Sequence, residues 1–180
     1  MAARYAAKMM RTLEGRRATV ITVSDRCFAG TREDLSGPSV ARVLTEAGAG
    51  GCEVVVVPDE LEQIASAIRA AARGSSLVLT TGGTGLAPRD VTPEATLAVC
   101  ERLAPGLAEL IRADGAKHTP FAALSRGVCG TLGATLVINL PGSPAGAESS
   151  LRAVLALLPH ALDLLNGHTA HKEQAPTAIE

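Results

Sequence analysis

Four short apolar runs, each rich in β-branched residues and bounded by loop signals, constrain this chain more than any other feature. They are Ala18 to Ser24 (ATVITVS), Glu53 to Val57 (EVVVV), Leu77 to Thr81 (LVLTT) and Thr135 to Leu140 (TLVINL). Runs of this length read as strands buried on both faces. Stripes at helical spacing lie between them. Val40, Val43, Leu44 and Ala47 share one face, with Gly48 as a stop. Leu61, Ile64, Ala65, Ile68 and Ala72 form a second stripe that ends near Gly74. Thr92 reads as an N-cap with Pro93 at the first helical position. Gly106 to Asp114 predicts a further helix. The last stripe is Leu151, Val154, Leu155, Leu158, Leu162 and Leu165, with Pro159 expected to kink it or start a new helix. Strand and helix alternate, so the connections are right-handed βαβ units. The expected fold is α/β: three layers, a mostly parallel sheet with helices on both faces.

Composition narrows the class. Hydrophobic residues make up 47% of the chain and charged residues 19%, enough for a core and too apolar for disorder. With two Phe, one Tyr and no Trp, that core is aliphatic. A net charge of -1 leaves no basic excess for a nucleic-acid backbone, and aromatic stacking platforms are missing too. No apolar run approaches the roughly 20 residues needed to span a bilayer. Cys27, Cys52, Cys100 and Cys129 form no CxxC pair, which suits reduced thiols in a cytoplasmic protein. The expected organisation is a basic extension over residues 1–17 with a short helix, one domain over 18–167, and a mobile polar tail over 168–180. His168-x-x-His171 falls in that tail and reads as no metal site.

Polar or Gly-rich sequence follows every strand: Ser24-Asp25-Arg26, Pro58-Asp59-Glu60, Thr81-Gly82-Gly83-Thr84-Gly85 and Pro141-Gly142-Ser143-Pro144. In open α/β sheets ligands bind outside the carboxyl ends of the strands. Glycines there let backbone N–H groups converge on an anion. The Gly-rich turn is neither a Walker A loop nor GxGxxG, and a plain turn is the alternative. Asp59 and Asp90 come from adjacent strand ends and can hold Mg²⁺ with substrate phosphates. Singly, each also reads as a helix cap, or Asp90 as a partner of Arg89. Asp25 and Asp34 flank a loop before Ser36-Gly37-Pro38, where a helix start can receive an anion or simply be capped. Ser125-Arg126-Gly127 offers an arginine for a phosphate, although a surface arginine is the commoner outcome. No Ser/His/Asp or Cys/His set is present, so positioning and electrostatics carry the chemistry.

In combination these motifs resemble the MogA/MoaB family of molybdenum cofactor biosynthesis proteins, including the gephyrin G domain. The carriers are VSDR at Val23 to Arg26, DLSGP at Asp34 to Pro38, PDE at Pro58 to Glu60 and TTGGTGLAPRDVTPEAT at Thr80 to Thr96. LSRG at Leu124 to Gly127 and NLPGSP at Asn139 to Pro144 complete the set. The resemblance implies a molybdopterin adenylyltransferase: with Mg²⁺ and ATP, the terminal phosphate of molybdopterin is adenylylated and pyrophosphate is released. It implies Asp59 and Asp90 as catalytic, metal-holding acids. Substrate or nucleotide binding falls to Ser24, Asp25, Asp34, Ser36, Gly37, Thr81, Gly82, Gly83, Thr84, Gly85, Ser125, Arg126, Pro141, Gly142 and Ser143. It further implies a homo-oligomer, a trimer or a hexamer, and a downstream molybdenum-inserting protein as partner. A non-catalytic, MoaB-type molybdopterin-binding protein is the alternative.

Overall fold

The computed structural model describes residues 13–168. The expected N-terminal helix, the polar tail and His171 lie largely or wholly outside that range. From Arg17 the chain runs β1 (Arg17–Val23), α1 (Asp25–Phe28), α2 (Ser36–Glu46), β2 (Gly51–Val57), α3 (Leu61–Ala72) and β3 (Leu77–Thr81). It continues with α4 (Thr92–Leu97), β4 (Arg102–Leu103), α5 (Pro105–Gly115), a 3₁₀ turn (Pro120–Leu124), β5 (Cys129–Leu132) and β6 (Thr135–Leu140). It closes with α6 (Pro144–Val154), a 3₁₀ turn (Leu155–Leu157) and α7 (Leu158–Leu165). All four expected strands are present.

The six strands form one sheet in the order β2-β1-β3-β6-β5-β4. The four strands rich in β-branched residues are mutually parallel, and β5 and β4 add an antiparallel edge. Alternate strand residues face opposite layers, as the two-residue period of a strand requires. Val20, Leu79 and Ile138 stand in register and point to one layer, where Val43, Leu44, Leu151, Val154 and Leu162 cover them. Ile21, Val78 and Val137 point to the other, under Ile64, Ile68 and Ala95. Helices α2, α5, α6 and α7 therefore pack on one face, and α3 and α4 on the other. The result is the expected three-layer α/β arrangement.

Local signals explain most boundaries. Gly48 follows α2 at φ 88°, a conformation that suits glycine, and stops the helix. Pro159 sits in the first turn of α7, so the last stripe is two helices joined by a 3₁₀ turn. Several expectations fail. β2 is a half-exposed edge strand rather than one buried on both faces, and β1 separates it from β3, so Asp59 and Asp90 do not follow adjacent strands. Thr92 does not cap α4: it lies inside the helix, and its hydroxyl donates to the Gly82 carbonyl at 2.9 Å. Val91 occupies the cap position, and the Thr92 hydroxyl ties the start of the helix to the preceding turn. Asp59 is not the N-cap of α3 either; Glu60 occupies that position without a side-chain bond. Leu13 joins the core, and Arg16 pairs with Asp163 of α7, so packing begins before β1.

Candidate active site

The carboxyl ends of β1, β2, β3 and β6 bring the singled-out motifs together. Asp25 and Asp59, which follow β1 and β2, exchange backbone-to-carboxylate hydrogen bonds. The Asp25 N–H donates to Asp59 Oδ2 at 2.8 Å, and the Asp59 N–H donates to Asp25 Oδ1 at 3.0 Å. Arg89 grips Asp25 with two bonds, Nε to Oδ2 at 2.7 Å and Nη2 to Oδ1 at 2.9 Å, and also reaches Glu60 at 3.0 Å. Arg89 thus pairs with Asp25 rather than with its neighbour Asp90. The loop carrying Asp90 is tied through Arg89 to the loop carrying Asp59. This link joins residues far apart in sequence, and no local pattern announces it.

The turn after β3 is shaped by glycine. Gly82 at φ 105° and Gly83 at φ 62° take conformations that side chains resist. A Cβ on Gly82 would lie 2.3 Å from the Val23 carbonyl oxygen, and one on Gly83 would lie 2.3 Å from Thr92 Oγ1. Both acids lie against this turn. Asp59 Oδ1 is 3.3 Å from the Cβ position of Gly83, and Asp90 Oδ2 is 2.8 Å from that of Gly85. Asp90 Oδ2 also accepts the Ala87 N–H at 2.8 Å. Asp90 therefore closes its own loop and does not cap α4.

The environments of the acids differ. Burial pushes the Asp59 carboxyl above its ordinary value; the bond from the Asp25 N–H opposes this, and the charges of Asp25 and Asp90 add to it. Asp25 is held below its ordinary value, chiefly by its bonds to Arg89. Among the described residues, Asp59 Oδ1 and Asp90 Oδ1 accept no hydrogen bond. Two carboxylates with one available oxygen each, close enough for one to raise the other's proton affinity, suit a hard cation completed by water and phosphate oxygens. No group of three or more His, Cys, Asp or Glu forms a metal cage among the described residues. The donor set therefore fits Mg²⁺ shared with a substrate and does not fit a permanent, all-protein metal site.

Two cavities flank the turn. The smaller, about 380 Å³, is polar and is lined by Ser24, Asp34, Ser36, Thr81, Gly82, Gly83, Gly142 and Ser143, with Arg32 and Cys27 at its wall. The larger, about 680 Å³, is mostly apolar and includes Thr84, Gly85, Ser125, Pro141 and Ser143. Its apolar wall comes from Leu124, the first residue of the LSRG motif, and from Ile111, Phe121 and Ala122, which the sequence motifs do not include. Phe121, a large apolar residue outside every predicted strand and helix, was the available signal. Ser143 lines both cavities and caps α6 by accepting the Gly146 N–H at 3.2 Å. Asp59 and Asp90 belong to neither wall; they back the glycine turn that both cavities touch.

Several of these candidates also hold the surrounding structure. Asp34 accepts Thr22 Oγ1–H at 2.7 Å and the Gly37 N–H at 3.0 Å, which fixes the start of α2. A Cβ on Gly37 would come within 2.4 Å of Asp34 Oδ2, so that glycine allows close packing. Thr81 Oγ1–H donates to the Pro141 carbonyl at 2.7 Å and joins the β3 and β6 ends. Arg126 turns inward: Nε donates to the Gly85 carbonyl at 2.7 Å, and its other nitrogens reach Glu94 and the Asp90 carbonyl.

Comparison with known proteins agrees with this arrangement. The family described as "Probable molybdopterin binding domain" matches residues 19–160. Over 150 residues the chain is 43% identical to the molybdenum cofactor synthesis protein cinnamon of Drosophila melanogaster, covering 81% of this chain. It is 46% identical over 156 residues, 86% of this chain, to a bifunctional molybdenum cofactor biosynthesis protein of Synechococcus elongatus. It spans only 25% and 49% of those two relatives. Against the molybdopterin adenylyltransferase of Helicobacter pylori J99 it is 40% identical over 153 residues, 83% of this chain and 87% of that one. Among solved structures, the Thermus thermophilus molybdopterin biosynthesis enzyme MoaB is 51% identical with a TM-score of 0.75, covering 84% of this chain and 97% of that one. The Mog protein of Mycobacterium ulcerans is 41% identical with a TM-score of 0.80, covering 84% and 99%. With the acid pair, the glycine turn and the fold in place, the chain belongs to the molybdopterin-binding domain family that contains MogA and MoaB.

Proposed function

We propose that this protein is a molybdopterin adenylyltransferase of molybdenum cofactor biosynthesis. The observation that carries the reading is a pair of adjoining cavities meeting at Ser143, with two coupled carboxylates behind their shared glycine turn. A transfer between two phosphorylated substrates needs such a place. The terminal phosphate of molybdopterin, already ionised at neutral pH, supplies the attacking oxygen. Its new bond forms to the α-phosphorus of ATP, the α–β phosphoanhydride breaks, and pyrophosphate leaves. No general base is required for this nucleophile. Backbone N–H groups of the glycine turn receive phosphate oxygens. Asp59 and Asp90 would hold Mg²⁺, which neutralises charge between the two polyanions.

The assembly we propose is a homo-oligomer, a trimer or a hexamer, for which exposed Leu86, Phe121 and Leu124 offer apolar contact surface. A cytoplasmic setting, with a molybdenum-inserting protein receiving the product, accords with four free cysteines. The test is incubation of the protein with molybdopterin, ATP and Mg²⁺, followed by detection of adenylylated molybdopterin and pyrophosphate. Asp90→Asn is expected to abolish turnover while molybdopterin still binds. Pterin binding by the wild-type protein without ATP consumption would instead establish a binding-only protein.

A further inference from the structure

Arg126 has four donors on one stretch of chain. Nε reaches the Gly85 carbonyl at 2.7 Å, Nη1 the Glu94 carboxylate, and Nη2 the Asp90 carbonyl. Its backbone N–H donates to the Thr84 carbonyl at 2.9 Å. These acceptors bracket residues 84–94, a stretch with no strand or helix before Thr92 and with Leu86 well exposed. A loop of this kind has few buried contacts to fix it.

Arg126 is itself rooted in the centre of the sheet. Two residues on, the Val128 N–H donates to Asn139 Oδ1 at 3.1 Å, and its carbonyl accepts the Asn139 N–H at 3.0 Å. Asn139 Nδ2 in turn donates to Thr80 Oγ1 and Thr96 Oγ1, both at 2.9 Å. Arg112 Nη1 reaches the Gly127 carbonyl at 2.8 Å. A rigid line therefore runs from buried β6 through residues 126–128 to the backbone of Asp90.

We propose that Arg126 is a positioning residue for Asp90, setting the span between the Asp59 and Asp90 carboxylates and hence their grip on the divalent cation. The proposal rests on the adenylyltransferase reading above. It replaces the expectation that Arg126 contacts a phosphate. The planar guanidinium fork suits the role, because three nitrogens fixed in one plane meet three acceptors. A lysine carries its three donors on one nitrogen and cannot span acceptors spread along the loop as the fork does. Glu94 completes the fork from the first turn of α4, so the loop is gripped at both ends.

The experiment compares Arg126→Lys and Glu94→Gln with the wild-type protein. Mn²⁺ binding is followed by electron paramagnetic resonance without substrates. Amide hydrogen exchange of residues 84–92 is measured in metal-free protein, and kcat and KM under adenylyl-transfer conditions. Arg126→Lys is expected to weaken Mn²⁺ binding roughly tenfold, in the range seen when a partner of a metal ligand is removed. Exchange at residues 85–90 accelerates and kcat falls, while KM for molybdopterin holds within about twofold. Glu94→Gln moves the same readouts less. A rise in either substrate's KM with unchanged Mn²⁺ affinity would make Arg126 a phosphate ligand and overturn the proposal. Unchanged exchange and Mn²⁺ affinity overturn it equally. Should Arg126→Lys fail to fold, Glu94→Gln decides: wild-type Mn²⁺ affinity and exchange in that variant refute the idea. A wild-type protein that binds Mn²⁺ and makes product keeps the functional reading intact in every one of these cases. One that does neither removes both readings.

Discussion

Asn139 interrupts an aliphatic strand, and its amide satisfies three partners at the centre of the sheet. Replacing it with alanine removes the partner of two buried threonine hydroxyls and of the half-buried Val128 N–H. The expected cost of Asn139→Ala is about 2–4 kcal/mol, to be read from urea unfolding. Gly82→Ala combines a disfavoured φ with a clash against the Val23 carbonyl. It is expected to destabilise by at least ~2 kcal/mol and to lower activity more than a surface substitution would, checked by melting and by product formation. At this scale the sequence was most readable where chemistry follows a strand. That Asp59, Asp90 and the glycines gather at one sheet edge could be read from residue type and position. The partners of Arg89 and Arg126 could not, because each side chain has acceptors brought close only by the fold. Arginine in a loop carries no mark of whether it faces a ligand or its own chain.

Among the elements, β1, β2, β3 and β6 were legible because each is a short run of β-branched residues between loop signals; β1, β3 and β6 are buried as such runs require, while β2 is an edge strand that leaves Glu53 and Val54 exposed. β5 and β4 were not legible. Cys129–Leu132 and Arg102–Leu103 are short and lack such a run, and their pairing is antiparallel at the sheet edge. One signal was present: Gly133, at φ 56°, opens the two-residue turn between β5 and β6. Helix stripes were read well because burial enforces their spacing. In α6, Leu151 and Val154 are fully buried against the sheet. Leu151→Ala is expected to cost about 2–5 kcal/mol in urea unfolding, the range for a leucine truncated in a packed core. The site should survive in the folded fraction, since that side chain contacts neither cavity.

For the whole molecule, the site stands in tension with stability. The Asp59 carboxyl titrates above the ordinary aspartate range because burial disfavours its charge. Between the unfolded and folded values the native protein binds more protons, so raising the pH through that window costs stability. The ionised form that would hold a cation appears only above it. Protons and cation thus compete for Asp59, and acidification is expected to weaken Mn²⁺ binding, as affinities measured at several pH values would show. Asp59→Asn, free of the buried charge, is expected to melt at or above the wild-type temperature at neutral pH in metal-free buffer, although inactive. A clear fall in melting temperature would contradict this account.

Arg16 meets Asp163 beside the amino end of β1, while the glycine turn and the acids gather at the opposite, carboxyl ends. The two ends of the folded unit therefore leave it side by side, on the edge remote from the chemistry. A unit that enters and exits at one point can be spliced into a longer polypeptide without stretching its fold or obstructing its ligands. That geometry accords with matched regions that fill a quarter of one relative and half of another. It makes this sheet a portable module, to which fusions near residues 13 and 168 should be least harmful.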